Sequence, residues 1–307
     1  MMLRQGKKET LWQNMRRHKA LYWMILPGMA YFIAFKYVPL LGSVIAFQNY
    51  QIFKGLFQSP WVGLENFRYI FQYPDFYRIL GNTVKIGFAQ ILYGFPAPIL
   101  LALLLNEVGN RKVKRCMQTV LYLPHFLSWA ILGSILFEIL SLNGIFNTLR
   151  VSMGMDPILY MQKVDCFVPI VILSSIWKEV GWSAIVYLAA IAGISPELYE
   201  AAVVEGASRL KQSLYITLPL LMPTITIMFL LRVGNFLNLG FEQIYVLMTP
   251  VTQSVGDILD TYVYRYGVCE GKYSVTTAIG LFKSVFGLVL MVLCNSLSKR
   301  ATGRGVY

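Results

Sequence analysis

The sequence predicts an all-α integral membrane protein with six transmembrane helices and both ends of the chain on the cytoplasmic side. Three observations carry this. Of 307 residues, 56% are hydrophobic and 14% charged, whereas a soluble globular domain carries about 25% charged residues. Six mainly apolar runs, each near the roughly 20 residues needed to cross a bilayer, are separated by polar or turn-forming sequence. Basic residues gather in alternate connections, which fixes orientation. The net charge of +12 would suggest nucleic acid as partner in a soluble chain. Beside apolar runs it is an orientation signal, so the lipid bilayer is expected and nucleic acid is not.

The elements follow in order. Residues 1–20 form a basic cytoplasmic tail with Arg4, Lys7, Lys8, Arg16, Arg17 and Lys19. The first span, 21–44, mimics a signal peptide, but its apolar run is too long and lacks a clear small-residue cleavage site, so it is expected to stay. Between the first two spans, 58–71 reads as an amphipathic element opening at Pro60. Its Trp61, Phe67, Tyr69 and Phe71 suit a membrane interface or a rim that receives an external partner. The remaining spans are 83–105, 119–140, 168–192, 220–248 and 276–297. With no water to satisfy backbone groups in lipid, helix is the expected form of each. Arg111, Lys112, Lys114 and Arg115, then Arg209 and Lys211, then Lys299, Arg300 and Arg304 share the side of the tail. The opposite connections hold the pairs Lys54 and Arg68, Arg150 and Lys163, and Arg265 and Lys272. The larger clusters mark the cytoplasmic side. The six-helix domain is thus 21–297, followed by a cytoplasmic tail, 298–307.

The connection 195–219 carries the strongest pattern. Ser195 is a good N-cap, Pro196 suits the first helical position, and Glu197 complements the positive end of the dipole. Ala201 and Ala202 let another surface approach the backbone. Gly206 can end that helix, and Leu210, Leu214 and Leu218 give the next one an apolar stripe. Pro219 marks entry to the fifth span. The pattern predicts a short helix, a glycine turn and a second helix along the inner membrane face.

Glu200-Ala201-Ala202, Glu205-Gly206-Ala207 and Ile216-Thr217-Leu218-Pro219 resemble the EAA signature of bacterial ATP-driven (ABC) importer permeases. Glu205 stands where that signature usually has Asp, and Leu214 where Phe is common. The likeness extends over most of the chain, through residues 26–39, 60–67, 122–129, 232–235, 240–243, 260–264 and 278–283. It is most specific to the Lpl-type polysaccharide and oligosaccharide branch, related to the maltose permeases. The resemblance implies the type I importer permease fold and import of complex oligosaccharides. It also implies a heterodimer with a second homologous permease, a cytoplasmic ATPase dimer and an extracellular solute-binding protein. Glu200, Ala201, Ala202, Gly206, Leu218 and Pro219 would then couple to the ATPase, with Pro196–Val204 as the docking helix.

The chain itself lacks a phosphate-binding loop. Gly267 to Lys272 is one residue short of the required spacing, so ATP belongs to a partner and this subunit is expected not to be an enzyme. No cofactor or metal site is expected. Four cysteines show no CxxC spacing and His18 and His125 are the two histidines. A lipid-linked transferase would need an acidic cluster on the nucleotide side, whereas Asp257 and Asp260 lie outside. A secondary transporter and an importer of peptides or amino acids remain as alternatives.

Intramembrane ionisable groups point to the solute path. Trp177, Lys178, Glu179 and Trp182 in the fourth span pair aromatic planes with charge, as sugar recognition requires. Asn235, Asn238 and Glu242 fall at spacings of three and four in the fifth, one polar stripe beside glycines that could bend the helix. Each could equally be glue between helices. Arg232, Glu138 and Lys283 are read as structural pairs.

Overall fold

The computed structural model describes residues 18–302, with side chains to 300. The tail residues Arg4 to Arg17 and Arg304 lie outside them.

Helix α1, Lys19–Phe47, leads into α2, Glu65–Gln72, and α3, Pro74–Glu107. Then come α4, Arg111–Phe126, α5, Trp129–Ile139, and α6, Ile145–Ser152. Helix α7, Val164–Ala192, is 29 residues long. It is followed by α8, Pro196–Val204, α9, Arg209–Gly234, and α10, Phe241–Leu247. Helix α11, Leu259–Val263, and α12, Tyr273–Thr302, complete the order. Three long helices widen into π turns at Ile33–Tyr37, Gln90–Gly94 and Ser213–Thr217. Each stands just before a proline: Pro39, Pro96 and Pro219. A proline ring cannot donate to the carbonyl four residues back and collides with it, so a wider turn lets the helix run on.

Three apolar clusters hold the bundle together. Near the α2 end, Ala46, Ile70, Phe76, Ile79, Leu259 and Ile279 join α1, α2, α3, α11 and α12. Ile86, Phe167, Val171, Ile244 and Ile258 fill the middle. Ala102, Tyr187, Ile191 and Leu221 tie α3, α7 and α9 at the other end. Residues 19–41 of α1 contain no buried side chain among the described residues.

Among the described residues four helices are long and apolar enough to cross a membrane: α1, α3, α9 and α12. A fifth arises if α4 and α5 count as one broken span. Helix α7 is as long as these, but Ser174, Ser175, Lys178 and Glu179 interrupt its apolar run.

Several boundaries differ from the sequence reading. The expected third span, 119–140, is two helices bent by 104°. Pro124 withdraws a donor, Leu127 is extended, and Ser128 starts α5 by accepting from the Ile131 amide at 3.3 Å. The expected helix lying along the inner face up to Pro219 is instead the start of α9, because the π turn absorbs that proline. The fifth span ends at Gly234 rather than running to 248. Gly240, at φ +85°, turns the chain before α10. Asn235, Asn238 and Glu242 therefore do not form one helical stripe. The amphipathic element 58–71 becomes helical at Glu65; Trp61 precedes that helix and stacks on Phe47 at 5.7 Å. Lys283 pairs with Asp260 as expected, and Arg232 donates to Gln90. Glu138 is exposed and has no ion pair among the described residues.

Candidate functional site: a polar cavity and an exposed docking helix

Helices α3, α7 and α9 enclose a cavity of about 470 Å³. Its wall is mainly apolar, with Phe95, Pro98, Ile176 and Met228, and is broken by Gln90, Glu179, Arg232 and Asn235. The π turn at Gln90–Gly94 helps bring Gln90 to the cavity, where its carbonyl oxygen accepts from the Arg232 guanidinium. On the other side Glu179 Oε2 lies 2.9 Å from His125 Nδ1. The His125 ring stacks on Trp182, with centroids 4.5 Å apart and planes within 2°.

The expected path residues separate into three groups. Glu179 and Asn235 line the cavity, and Trp182 is linked to Glu179 through His125. Trp177 is half-exposed on the same helix. Lys178 turns away: it is 7% exposed and donates to the carbonyls of Pro124, His125 and Leu127. Asn238 donates to Asn235 at 3.3 Å, while Glu242 is exposed in the first turn of α10. The roles of Gln90 and His125 were missed. Polar residues inside apolar runs were their signal, but neither sits at a helical spacing from the charged pair.

At one end of the bundle α8 stands clear, with no buried residue. Leu198, Val203 and Val204 are exposed, Val204 by 88%. The helix closes on a glycine motif: Ala207 N–H donates to Ala202 O at 2.8 Å and Gly206 N–H to Val203 O at 3.0 Å. That geometry needs the left-handed conformation of Gly206, φ +76°. Glu200 and Ala201 are exposed and Ala202 is partly covered. Leu218 and Pro219 lie in the first turn after the π segment of α9. Three contacts fix the assembly to the bundle. Tyr199 Oη meets Thr217 Oγ1 at 2.9 Å, and Glu107 at the end of α3 accepts from Ser213 at 3.1 Å and pairs with Arg209.

The opposite end is closed by ion pairs and tyrosines. Buried Asp257 binds Arg265 at 2.6 Å. Tyr73 and Tyr266 share a hydrogen bond of 2.8 Å. That bond, followed by burial, holds the Tyr73 phenol well above its usual range, and burial does the same for Tyr262.

An apolar helical bundle with a cavity between long helices and an anchored, uncovered helix at one end fits a membrane-spanning component of a transport system. The model of binding-protein-dependent transport system inner membrane components matches residues 94–303, and the chain belongs to that family. It is 44% identical over 307 residues to Protein LplB of Bacillus subtilis (strain 168), covering all of this chain and 96% of that protein. Identity and coverage are the same for the polygalacturonan/rhamnogalacturonan transport system permease protein YteP of that organism. A chain in the crystal structure of a bacterial ABC transporter that imports the acidic polysaccharide alginate superposes with a TM-score of 0.88. It is 39% identical and covers 96% of this chain and 100% of that one. A chain of the bacterial alginate transporter in complex with its alginate pentasaccharide-bound periplasmic protein gives 0.89, also at 39% identity, covering 97% and 100%.

Proposed function

We propose that this chain is one permease of an ATP-driven importer for complex oligosaccharides, and that the cavity between α3, α7 and α9 lines the solute path. The observation that carries the reading is the grouping of Gln90, Glu179, Arg232 and Asn235 in one mainly apolar cavity. Sugars need this mixture: amide and carboxylate groups for hydroxyls, with apolar and aromatic surface for C–H faces. Arg232 adds a cation that suits a uronate carboxylate, consistent with the acidic alginate and the polygalacturonan carried by the similar systems.

The working assembly has a second permease, two ATPase subunits and an external solute-binding protein, with six spans in this chain and α8 facing the cytoplasm. The uncovered face of α1 over 19–41 meets lipid or the second permease. ATP binding closes the ATPase pair and moves α8, which turns the pore from inward- to outward-facing. Solute then enters from the binding protein, and hydrolysis resets the pore. ATP stays with the ATPase, and no cofactor or metal is assigned to this chain. Glu200, Ala201, Ala202 and Gly206 form the docking helix and its turn, while Leu218 and Pro219 carry its motion into α9.

The test is uptake of a labelled oligouronide by the reconstituted complex. Asn235→Ala removes a hydrogen-bonding group and Glu179→Gln removes the carboxylate charge, each a loss of about 1.4 kcal/mol or roughly tenfold in solute affinity. The half-saturating solute concentration inside the cavity is expected to rise, with assembly and basal ATPase activity retained. Uptake unchanged in both variants would remove the cavity from the path.

A further inference from the structure

Adjacent ionisable residues on one intramembrane helix usually suggest one site, but Lys178 and Glu179 face different surroundings. The ammonium of Lys178 lies against the end of α4. It donates to Pro124 O at 3.4 Å and His125 O at 2.9 Å, and also to Leu127 O. The Trp129 ring covers it at 5.5 Å. Those carbonyls sit where α4 ends and the chain bends by 104° into α5. A helix ending in an apolar interior leaves carbonyls without intrahelical partners and the negative end of its dipole uncompensated. A buried ammonium answers both needs at once.

The approach of α4 depends on a second residue. One turn after Lys178, Gly181 lies under Leu121, and a Cβ there would come within 2.2 Å of the Leu121 carbonyl oxygen. The missing side chain admits α4 close enough for its last carbonyls to reach the amine. His125 belongs to this end, and its backbone is gripped by Lys178 while its ring spans Glu179 and Trp182.

We infer that Lys178 is a positioning residue: by holding the carbonyls at the α4–α5 break, it sets the His125 ring between Glu179 and Trp182 and so fixes the carboxylate that reaches the cavity. The consequence for transport rests on the pore reading, whereas the positioning is independent of it. Nothing in the role requires solute contact by Lys178 itself.

Fluorescence of the full-length permease in detergent tests this. Each protein is compared with its Trp182→Phe counterpart, so the difference isolates Trp182 from the other tryptophans. A protonated imidazole stacked on indole quenches its emission, so spectra are taken at about pH 5, below the usual imidazole range, and His125→Gln is expected to release that quenching. Lys178→Met should release it to the same extent, and adding His125→Gln to Lys178→Met should change nothing more. Lys178→Arg, which keeps the donors, should remain quenched. A Lys178→Met protein of unchanged helicity with Trp182 still quenched would overturn the inference. Unchanged emission in His125→Gln would do the same. If Lys178→Met fails to insert, Lys178→Leu, which also lacks a donor, is read in its place by the same criterion. No step of the measurement uses transport, so a negative result leaves the cavity assignment to the uptake test.

Discussion

Glu179 and Lys178 differ by one position and by about 100° around α7, and this rotation separates a cavity group from a brace. The same economy governs the glycines. At Gly181 an added methyl would meet backbone rather than a movable side chain, so α4 must shift away from α7. Gly181→Ala is expected to lower stability by about 1–3 kcal/mol, the usual cost of overpacking. It should also weaken the Lys178 contacts. Thermal unfolding in detergent checks the first effect and the Trp182 signal the second. A melting temperature equal to wild type would show that the helices have room to spare. At this scale the sequence revealed which residues were unusual, namely charges and amides inside apolar runs. It did not reveal which partner each would find, because Gln90 with Arg232 and His125 with Glu179 are joined across 142 and 54 residues.

Elements were legible where hydropathy and breakers agree. The runs that became α3, α7 and α12 stood out, and so did Pro196–Val204 with its N-cap, first-turn proline and terminal glycine. The break at Leu127–Ser128 was hidden, because apolar composition continues through it and its capping serine looks like any other in a span. The start of α9 was hidden for the opposite reason: Pro219 reads as a boundary, yet a π turn carries the helix past it. Helix α11 and its loop show how the far end is locked. The Asp257 side chain is 1% exposed and accepts from Arg265 and Thr261, at 2.6 and 2.7 Å. Its main-chain carbonyl accepts from Asn82 of α3. Removing Arg265 leaves a buried carboxylate with its charge unmatched. Since Arg265 is itself 34% exposed, the expected loss for Arg265→Met is about 2–3 kcal/mol, below the range for a fully buried pair. Adding Asp257→Asn should recover most of it. Unfolding of the single and double variants measures this, and equal losses in both would mean that the pair is replaceable by water.

Over the whole molecule, the cavity and α8 are joined by continuous structure. Helix α8 is tied to α9 through Tyr199 and Thr217, and α9 in turn is tied by Arg209 and Ser213 to Glu107 of α3. Helices α3 and α9 then carry Gln90 and Arg232 on the cavity wall, with Asn235 directly after the end of α9. A push on α8 therefore acts on two of the three helices around the cavity. The central claim is that a separate ATPase drives the pore through this helix. Gly206→Pro is the sharpest intervention. It forbids φ +76° and deletes the donor to Val203, a cost of order 1–3 kcal/mol confined to one exposed turn. Glu200→Lys reverses a charge on the uncovered surface without touching the turn. The most direct measurement is co-purification of the ATPase with the wild-type, Gly206→Pro and Glu200→Lys complexes from the membrane, scored with permease insertion. The account predicts normal insertion with loss of the bound ATPase and of uptake in both variants. Retention of the ATPase by both would contradict it and assign the coupling to another surface.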